Sequence, residues 1–483
     1  MSIELLTQKK GPTISKYIYG QFSEHLGHGI YGSLYVGKDS KIPNVNGMRS
    51  DVVNALKKIH VPVLRWPGGL FADTYHWRDG IGPKDTRKKI VNTNWGDVTE
   101  DNSFGTHEYF ELLHQLGADA YINANIGSGT VQEMAEWVEY MTMAGESPMS
   151  KLRQKNGRQD PWKLKFFGIG NESWGGGGHM RPEYYSDVYR QYQTFLPQYD
   201  KDHPIYKVAC GPNEDDYHWT DTVMKLAGQY LDGISLHYYT LPTGQWGQHK
   251  GDATDFPEDQ WTSTMTRAKH MDELITKHST IMDHYDPDHK VDLIVDEWGT
   301  WYNVTKGTNP GFLQQQNTIR DAMVAAITLN IFHQHADRVH MANIAQMVNV
   351  LQAMILTKGD QMIKTPTYYV FDMYQKHMDA ELVEGVGDLP KNVTYTASQK
   401  NDQLTISLAN YDLTEEKTID FTAANSYSKI DSAIILTADR MDAHNTFEEP
   451  DVVHETTFKG ASLENGKLQL RVPSKSVVTV TLK

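Results

Sequence analysis

The pattern of apolar and polar positions divides the chain in two near residues 375–395. Before that point, short apolar runs alternate with long stretches of helical periodicity. After it, the period-2 alternation of half-buried strands takes over. Leu404-Thr405-Ile406-Ser407-Leu408, Leu468-Gln469-Leu470-Arg471-Val472 and Val477-Val478-Thr479-Val480-Thr481-Leu482 show it most clearly. Residues 381–483 are therefore expected to form an all-β sandwich, jelly-roll-like in build. A strand-like stretch at 3–6, within residues 1–14, is expected to join it.

The larger part, residues 15–380, contains eight candidate strands, at 17–22, 61–66, 120–125, 164–170, 206–211, 233–237, 291–297 and 339–342. Long helical stretches separate them. Val131, Met134, Val138 and Met141 mark the apolar face of one, and Ile319, Met323, Ile327 and Ile331 that of another. This alternation predicts an α/β fold, a (β/α)8 TIM barrel, with a doubly wound open sheet as the structural runner-up.

Composition narrows the partners. The 483 residues carry 46 basic and 61 acidic side chains, a net charge of −15. Such a surface repels phosphate backbones, so nucleic acid is not an expected partner. No apolar run is long enough to span a bilayer, so no membrane is expected. The single cysteine, Cys210, precludes an intrachain disulfide. The start, MSIELLTQKKG, has no apolar h-region, and a cytoplasmic protein, or a mature form whose signal has been cut away, is expected.

A barrel carries its chemistry at the C-terminal ends of its strands. Those positions hold Glu24 and His25, Arg65 and Trp66, Asn123 and Asn125, Asn171 and Glu172, Asn213, His237 and Tyr239, Glu297, and Asn343 with Gln346. Amides and carboxylates bind hydroxyls and aromatic faces stack on sugar rings, so the set favours a neutral polyhydroxylated ligand. Glu172 and Glu297 end the fourth and seventh candidate strands, on opposing sides of the barrel mouth. One such glutamate would most simply be an ion-pair partner. Two of them amid aromatics match glycoside hydrolysis, in which one carboxyl donates a proton to the leaving oxygen and the other attacks or activates water. Strand alternation expects the neighbouring Asp296 to point the other way. The four glycines Gly175–Gly178 lack a following Gly-Lys-Ser/Thr and read as a flexible rim loop. The 21 histidines form no His-Glu-x-x-His and there is no Cys-x-x-Cys, so neither a metal nor a cofactor is expected.

Five stretches in order carry a resemblance: Arg65-Trp66-Pro67-Gly68-Gly69, Tyr75-His76-Trp77-Arg78-Asp79-Gly80-Ile81-Gly82-Pro83, Gly170-Asn171-Glu172-Ser173-Trp174, His237-Tyr238-Tyr239 and Asp296-Glu297-Trp298-Gly299-Thr300-Trp301. Together they resemble the α-L-arabinofuranosidases of glycoside hydrolase family 51, over essentially the whole chain. The resemblance implies a retaining, exo-acting enzyme releasing terminal α-L-arabinofuranosyl residues from arabino- or arabinoxylo-oligosaccharides. It implies Glu172 as acid/base and Glu297 as nucleophile. It also implies that Glu24, Asn171, Tyr239 and Gln346 hold the sugar, with His237 nearby, that Trp95, Trp246 and Trp301 surround the pocket and the leaving-group side, and that Arg65 lies near the nucleophile. A homo-hexamer built as a trimer of dimers is implied as well. Leu70 stands where many relatives have a cysteine lining the sugar pocket; leucine is larger and cannot hydrogen-bond. Another retaining barrel glycosidase such as a β-xylosidase, a non-catalytic sugar-binding protein and a metal-dependent sugar isomerase are the alternative readings.

Overall fold

Eight parallel strands close into a barrel in sequence order. They are β1 (Gly20–Phe22), β2 (Val63–Trp66), β3 (Asp119–Ala124), β4 (Phe166–Ile169), β5 (Tyr206–Ala209), β6 (Gly233–Thr240), β7 (Asp292–Thr300) and β8 (Val339–Ile344). The computed structural model describes residues 1–247, 249–423 and 427–483. All eight candidate strands are present, and the first is shortened. Ser15 caps a 3-10 turn, Lys16–Tyr19, by accepting the Tyr17 N–H at 3.2 Å, and the strand begins only at Gly20. Val63, Tyr121, Phe166, Val208, Ile294 and Met341 pack together as a layer of side chains inside the barrel.

In its second half, strand β7 carries one residue more than the strands on either side of it. Against β6, Ile294 pairs with Ser235 but Glu297 with His237; against β8, Val295 pairs with Ala342 but Trp298 with Ile344. On both sides β7 advances three residues while its partner advances two, which defines a bulge at 295–297.

Helices between the strands cover the barrel. In Val131–Thr142 the expected stripe is turned inward, with Met134, Val138 and Met141 buried. Helix Ile319–Gln334 begins with a capping box, Thr318 with Asp321, and is buried all round from Ile319 to His333. Its second face is covered by the β-rich tail: His333 bonds Tyr19 Oη of the barrel side at 2.9 Å through Nε2 and Thr396 Oγ1 of the tail at 3.2 Å through Nδ1.

The tail is a sandwich of two sheets enclosing its own apolar core. The N-terminal strand Ser2–Leu5 lies in one of them, parallel to Lys417–Ala423 and antiparallel to Gly385–Gly387, with Ile3 and Leu5 buried. Among the described residues no helix is long and apolar enough to cross a membrane.

Candidate active site

The bulge in β7 sets the geometry of the barrel mouth. Alternation alone would send Asp296 outward. With the extra residue, Asp296 and Glu297 both face the interior, while Trp298 packs outward against Phe332 and Phe371. Asp296 accepts from Tyr121 Oη at 2.6 Å, bonds His237 Nε2 at 3.0 Å and lies 3.4 Å from Arg65 Nε. Glu297 accepts from Arg65 Nη1 at 2.8 Å through Oε1 and from Tyr239 Oη at 2.8 Å through Oε2. The expectation for Asp296 is thus corrected: it belongs to the site.

Strand β4 is followed by Gly170, whose φ of +94° is left-handed, and Glu172 comes next but one with φ +42°. That region is sparsely populated for a residue with a Cβ and persists only where surroundings enforce it. The glycine turn supplies the enforcement: Gly175 N–H and Gly177 N–H both donate to the Glu172 carbonyl, at 2.7 and 3.1 Å. Met180 N–H closes the turn onto Ser173 O at 2.7 Å. The four glycines therefore form a hydrogen-bonded turn rather than a loose rim. Beside Glu172, Asn171 accepts from Arg65 Nη2 at 2.6 Å, leaving its own buried Nδ2 without a protein partner.

His237 sits behind the two glutamates. Its Nδ1 is 2.9 Å from Glu172 Oε1 and 3.7 Å from Glu297 Oε2, and its Nε2 bonds Asp296. Burial works against its charge, but Glu297, Asp296 and Glu172 outweigh it and push its pKa up to about 10. For Asp296, burial is overcome by the Arg65 guanidinium and the His237 hydrogen bond, and its pKa is lowered. Glu172 goes the other way: burial and the charge of Glu297 raise its pKa, against the lowering effect of His237. Ligand atoms of Glu172, His237 and Glu297 all lie within 4.8 Å of one another. A cation could span that distance, but a protonated imidazole has no lone pair to offer it, and Arg65 already engages Glu297.

Above this layer lies a cavity of about 80 Å³, lined by Glu24, Trp95, Glu172, Tyr239, Glu297, Trp301 and Gln346, together with Leu26, Gly69, Leu70, Leu313 and Leu351. Glu24 accepts from Phe71 N–H at 3.0 Å and from Gln346 Nε2 at 3.2 Å. Burial, then the charge of Glu297, push its pKa up to about 7. Trp95 is carried by the hairpin Ile90–Asn92 and Val98–Glu100. Trp246 stands half exposed on the rim, edge-on to Tyr239 and Trp301, its Nε1 donating to Glu214 at 3.2 Å. Arg65 and His237 thus support the wall from behind, while Asn171, tied to Arg65 through Oδ1, keeps Nδ2 without a protein partner beside Glu172. Asn123 and Asn343 are structural, donating to Gly68 O and Gln21 O. The sequence pattern does not mark Tyr121, Glu214, Leu26, Leu313 or Leu351: Tyr121 lies in the middle of a strand, and the others lie in the loops that follow strands.

Residues 55–260 match the family model of the α-L-arabinofuranosidase 1 domain, and residues 296–476 that of the α-L-arabinofuranosidase C-terminal domain. The chain is 51% identical over 482 residues to an intracellular exo-α-L-arabinofuranosidase of Bacteroides ovatus, covering 97% of this chain and 93% of that protein. Its structure is similar to that of a family 51 arabinofuranosidase from Xanthomonas axonopodis pv. citri, with TM-score 0.97, 48% identity, 100% of this chain and 99% of that one. An α-L-arabinofuranosidase from Thermotoga maritima in complex with arabinose is similar at TM-score 0.87 and 30% identity, over 99% of each chain. The chain belongs to the α-L-arabinofuranosidases of glycoside hydrolase family 51.

Proposed function

We propose that this protein hydrolyses terminal α-L-arabinofuranosides with retention, Glu172 acting as acid/base and Glu297 as nucleophile. The observation that carries the assignment is the contrast between two adjacent carboxyls. Glu297 has both oxygens engaged, by Arg65 and Tyr239, which balances a negative charge and aims it. Glu172 is half-buried beside that charge, and its raised pKa keeps a proton available. In the first step Glu172 protonates the glycosidic oxygen while Glu297 attacks the anomeric carbon, and the aglycone leaves. In the second, Glu172 takes a proton from water, which attacks the glycosyl-enzyme from the vacated face. Retaining enzymes hold their carboxyls about 5–5.5 Å apart, inverting ones roughly 6.5–9.5 Å. An oxygen of Glu172 within 4.8 Å of one of Glu297 supports the shorter arrangement.

Exo action fits the cavity, which suits one ring and not a polymer. Glu24, Asn171, Tyr239 and Gln346 are offered as the groups that bind its hydroxyls, with Trp95 and Trp301 against its faces. Trp246 and the rim receive the leaving group. The name of the Bacteroides ovatus relative supports an intracellular setting, hence short arabino- or arabinoxylo-oligosaccharides as substrates. A hexameric assembly, a trimer of dimers, is proposed from the family resemblance alone. Proton NMR of the earliest product tests the reaction: α-arabinofuranose should appear first, and an initial burst of the β-anomer would overturn retention.

A further inference from the structure

Leu70 is enclosed between the sugar cavity and the glycine turn. It opens a 3-10 turn, Leu70–Thr74, whose backbone is tied down: Asn94 Nδ2 donates to Leu70 O at 3.3 Å, and Asp73 accepts the N–H groups of Ile126 and Gly127 at 3.0 and 2.9 Å. Its side chain lines the cavity on one side. On the other it meets Gly176 so closely that a methyl group added there would fall 2.5 Å from Cδ2 and 3.2 Å from Cδ1. The turn behind it is held by hydrogen bonds from Gly175, Gly177, Gly178 and Met180. On the side of the glycine turn Leu70 thus has no room to retreat, and it presents only C–H groups to the cavity.

We infer that Leu70, backed by Gly176, is the wall that sets the size of sugar this pocket accepts: a five-carbon furanose, and not a furanose carrying one more exocyclic carbon. A further hydroxymethyl group directed at this wall would find neither volume nor a hydrogen-bond partner. The inference rests on the arabinofuranosidase reading of the same site and names what that site excludes. Glycine at 176 is then required because any side chain there would drive Leu70 into the cavity.

The test compares 4-nitrophenyl α-L-arabinofuranoside with 4-nitrophenyl β-D-galactofuranoside, which has the same ring configuration and one more exocyclic carbon. In Leu70→Ala the ratio of kcat/KM for the galactofuranoside over the arabinofuranoside should rise by ~10-fold or more, the range a methylene-sized change of pocket produces. Leu70→Val, the gentler truncation, should move it in the same direction. Gly176→Ala should raise KM for the arabinofuranoside, and Leu70→Ala in the same chain should relieve that rise. Thermal melting establishes that each variant is folded. Active Leu70 variants with an unchanged ratio would overturn the inference while leaving the proposed activity standing, as would a Gly176→Ala defect that persists in the double variant. A wild-type enzyme that leaves the arabinofuranoside intact would overturn the activity itself, and the inference with it.

Discussion

Glu172 and Glu297 differ in what surrounds them, and their variants should differ accordingly. With a dinitrophenyl leaving group, which departs without a proton, Glu172→Ala should keep near-normal glycosylation. Deglycosylation should slow by roughly 10²–10⁴-fold, the usual worth of a general base, and added azide should restore turnover by attacking the intermediate. Glu297→Ala should lose activity on every substrate, because no glycosyl-enzyme can form. Equal losses in both variants on the activated substrate would sink the division of roles. A second residue-scale prediction concerns Asp73, which lies behind the Glu172 turn with Oδ2 buried and unpartnered. Burial pushes its pKa up from 3.8 to about 7, against the two backbone N–H groups it accepts. The folded state therefore binds the extra proton, and stability is lost as pH rises from about 3.8 through about 7. Asp73→Asn retains an acceptor for both N–H groups and has no such loss. Its melting temperature should gain on wild type by more at pH 8 than at pH 5, corresponding to on the order of 1–3 kcal/mol; a gain independent of pH would refute the account. Glu172, Glu297 and Glu24 were legible in the sequence because they end strands of a barrel, where chemistry belongs. Asp73 was not, since it sits in a short 3-10 turn with no periodicity to mark it.

At the scale of elements, the sequence pattern located all eight barrel strands, because each buried strand is a short apolar run between polar ends. What it could not locate was the bulge in β7. Alternation is a rule for regular strands, and one inserted residue reverses it, so Asp296 reads outward in sequence while it bonds His237 and Tyr121 inside. Helix Ile319–Gln334 shows a related loss: its apolar stripe was visible, but its burial on every side depends on the sandwich, which no local pattern reports. The N-terminal strand was legible from its short apolar alternation, and its partner strand was not, because that pairing joins the first residues to Lys417–Ala423. Ile3 and Leu5 are each 1% exposed within the sandwich core. Ile3→Ala should therefore destabilise the protein by about 2–4 kcal/mol, the cost of a truncated core isoleucine. The kcat/KM of the folded enzyme should stay unchanged, since the strand lies in the sandwich and no residue of it lines the cavity. A measured loss well below 1 kcal/mol would mean that the strand does not hold the sheet together.

Across the whole molecule, barrel and sandwich are joined by buried polar and apolar contacts that neither part can replace alone. Trp261 Nε1 donates to Tyr411 O at 3.0 Å, and His377 bonds Ser398 at 2.7 Å and Ser407 at 2.8 Å. His333 reaches both parts, and burial holds the pKa of its imidazole well below the usual value, so the seam carries a neutral ring. The helix beneath it is buried all round, and removing the tail would expose one whole, largely apolar face of it. The reverse cut fails for a different reason: residues 381–483 alone lack Ser2–Leu5, which stands between two strands of one sheet, and that sheet would split into separate pieces. Calorimetry of the intact protein should accordingly show a single unfolding transition in which both parts melt together. A chain ending at residue 380 should be insoluble or aggregate, and residues 381–483 on their own should show no cooperative transition. Two resolved transitions in the intact chain, or a soluble and active truncation at 380, would show that the seam contributes little and that the sandwich is a separable attachment rather than part of the structure that holds the active-site strands in register.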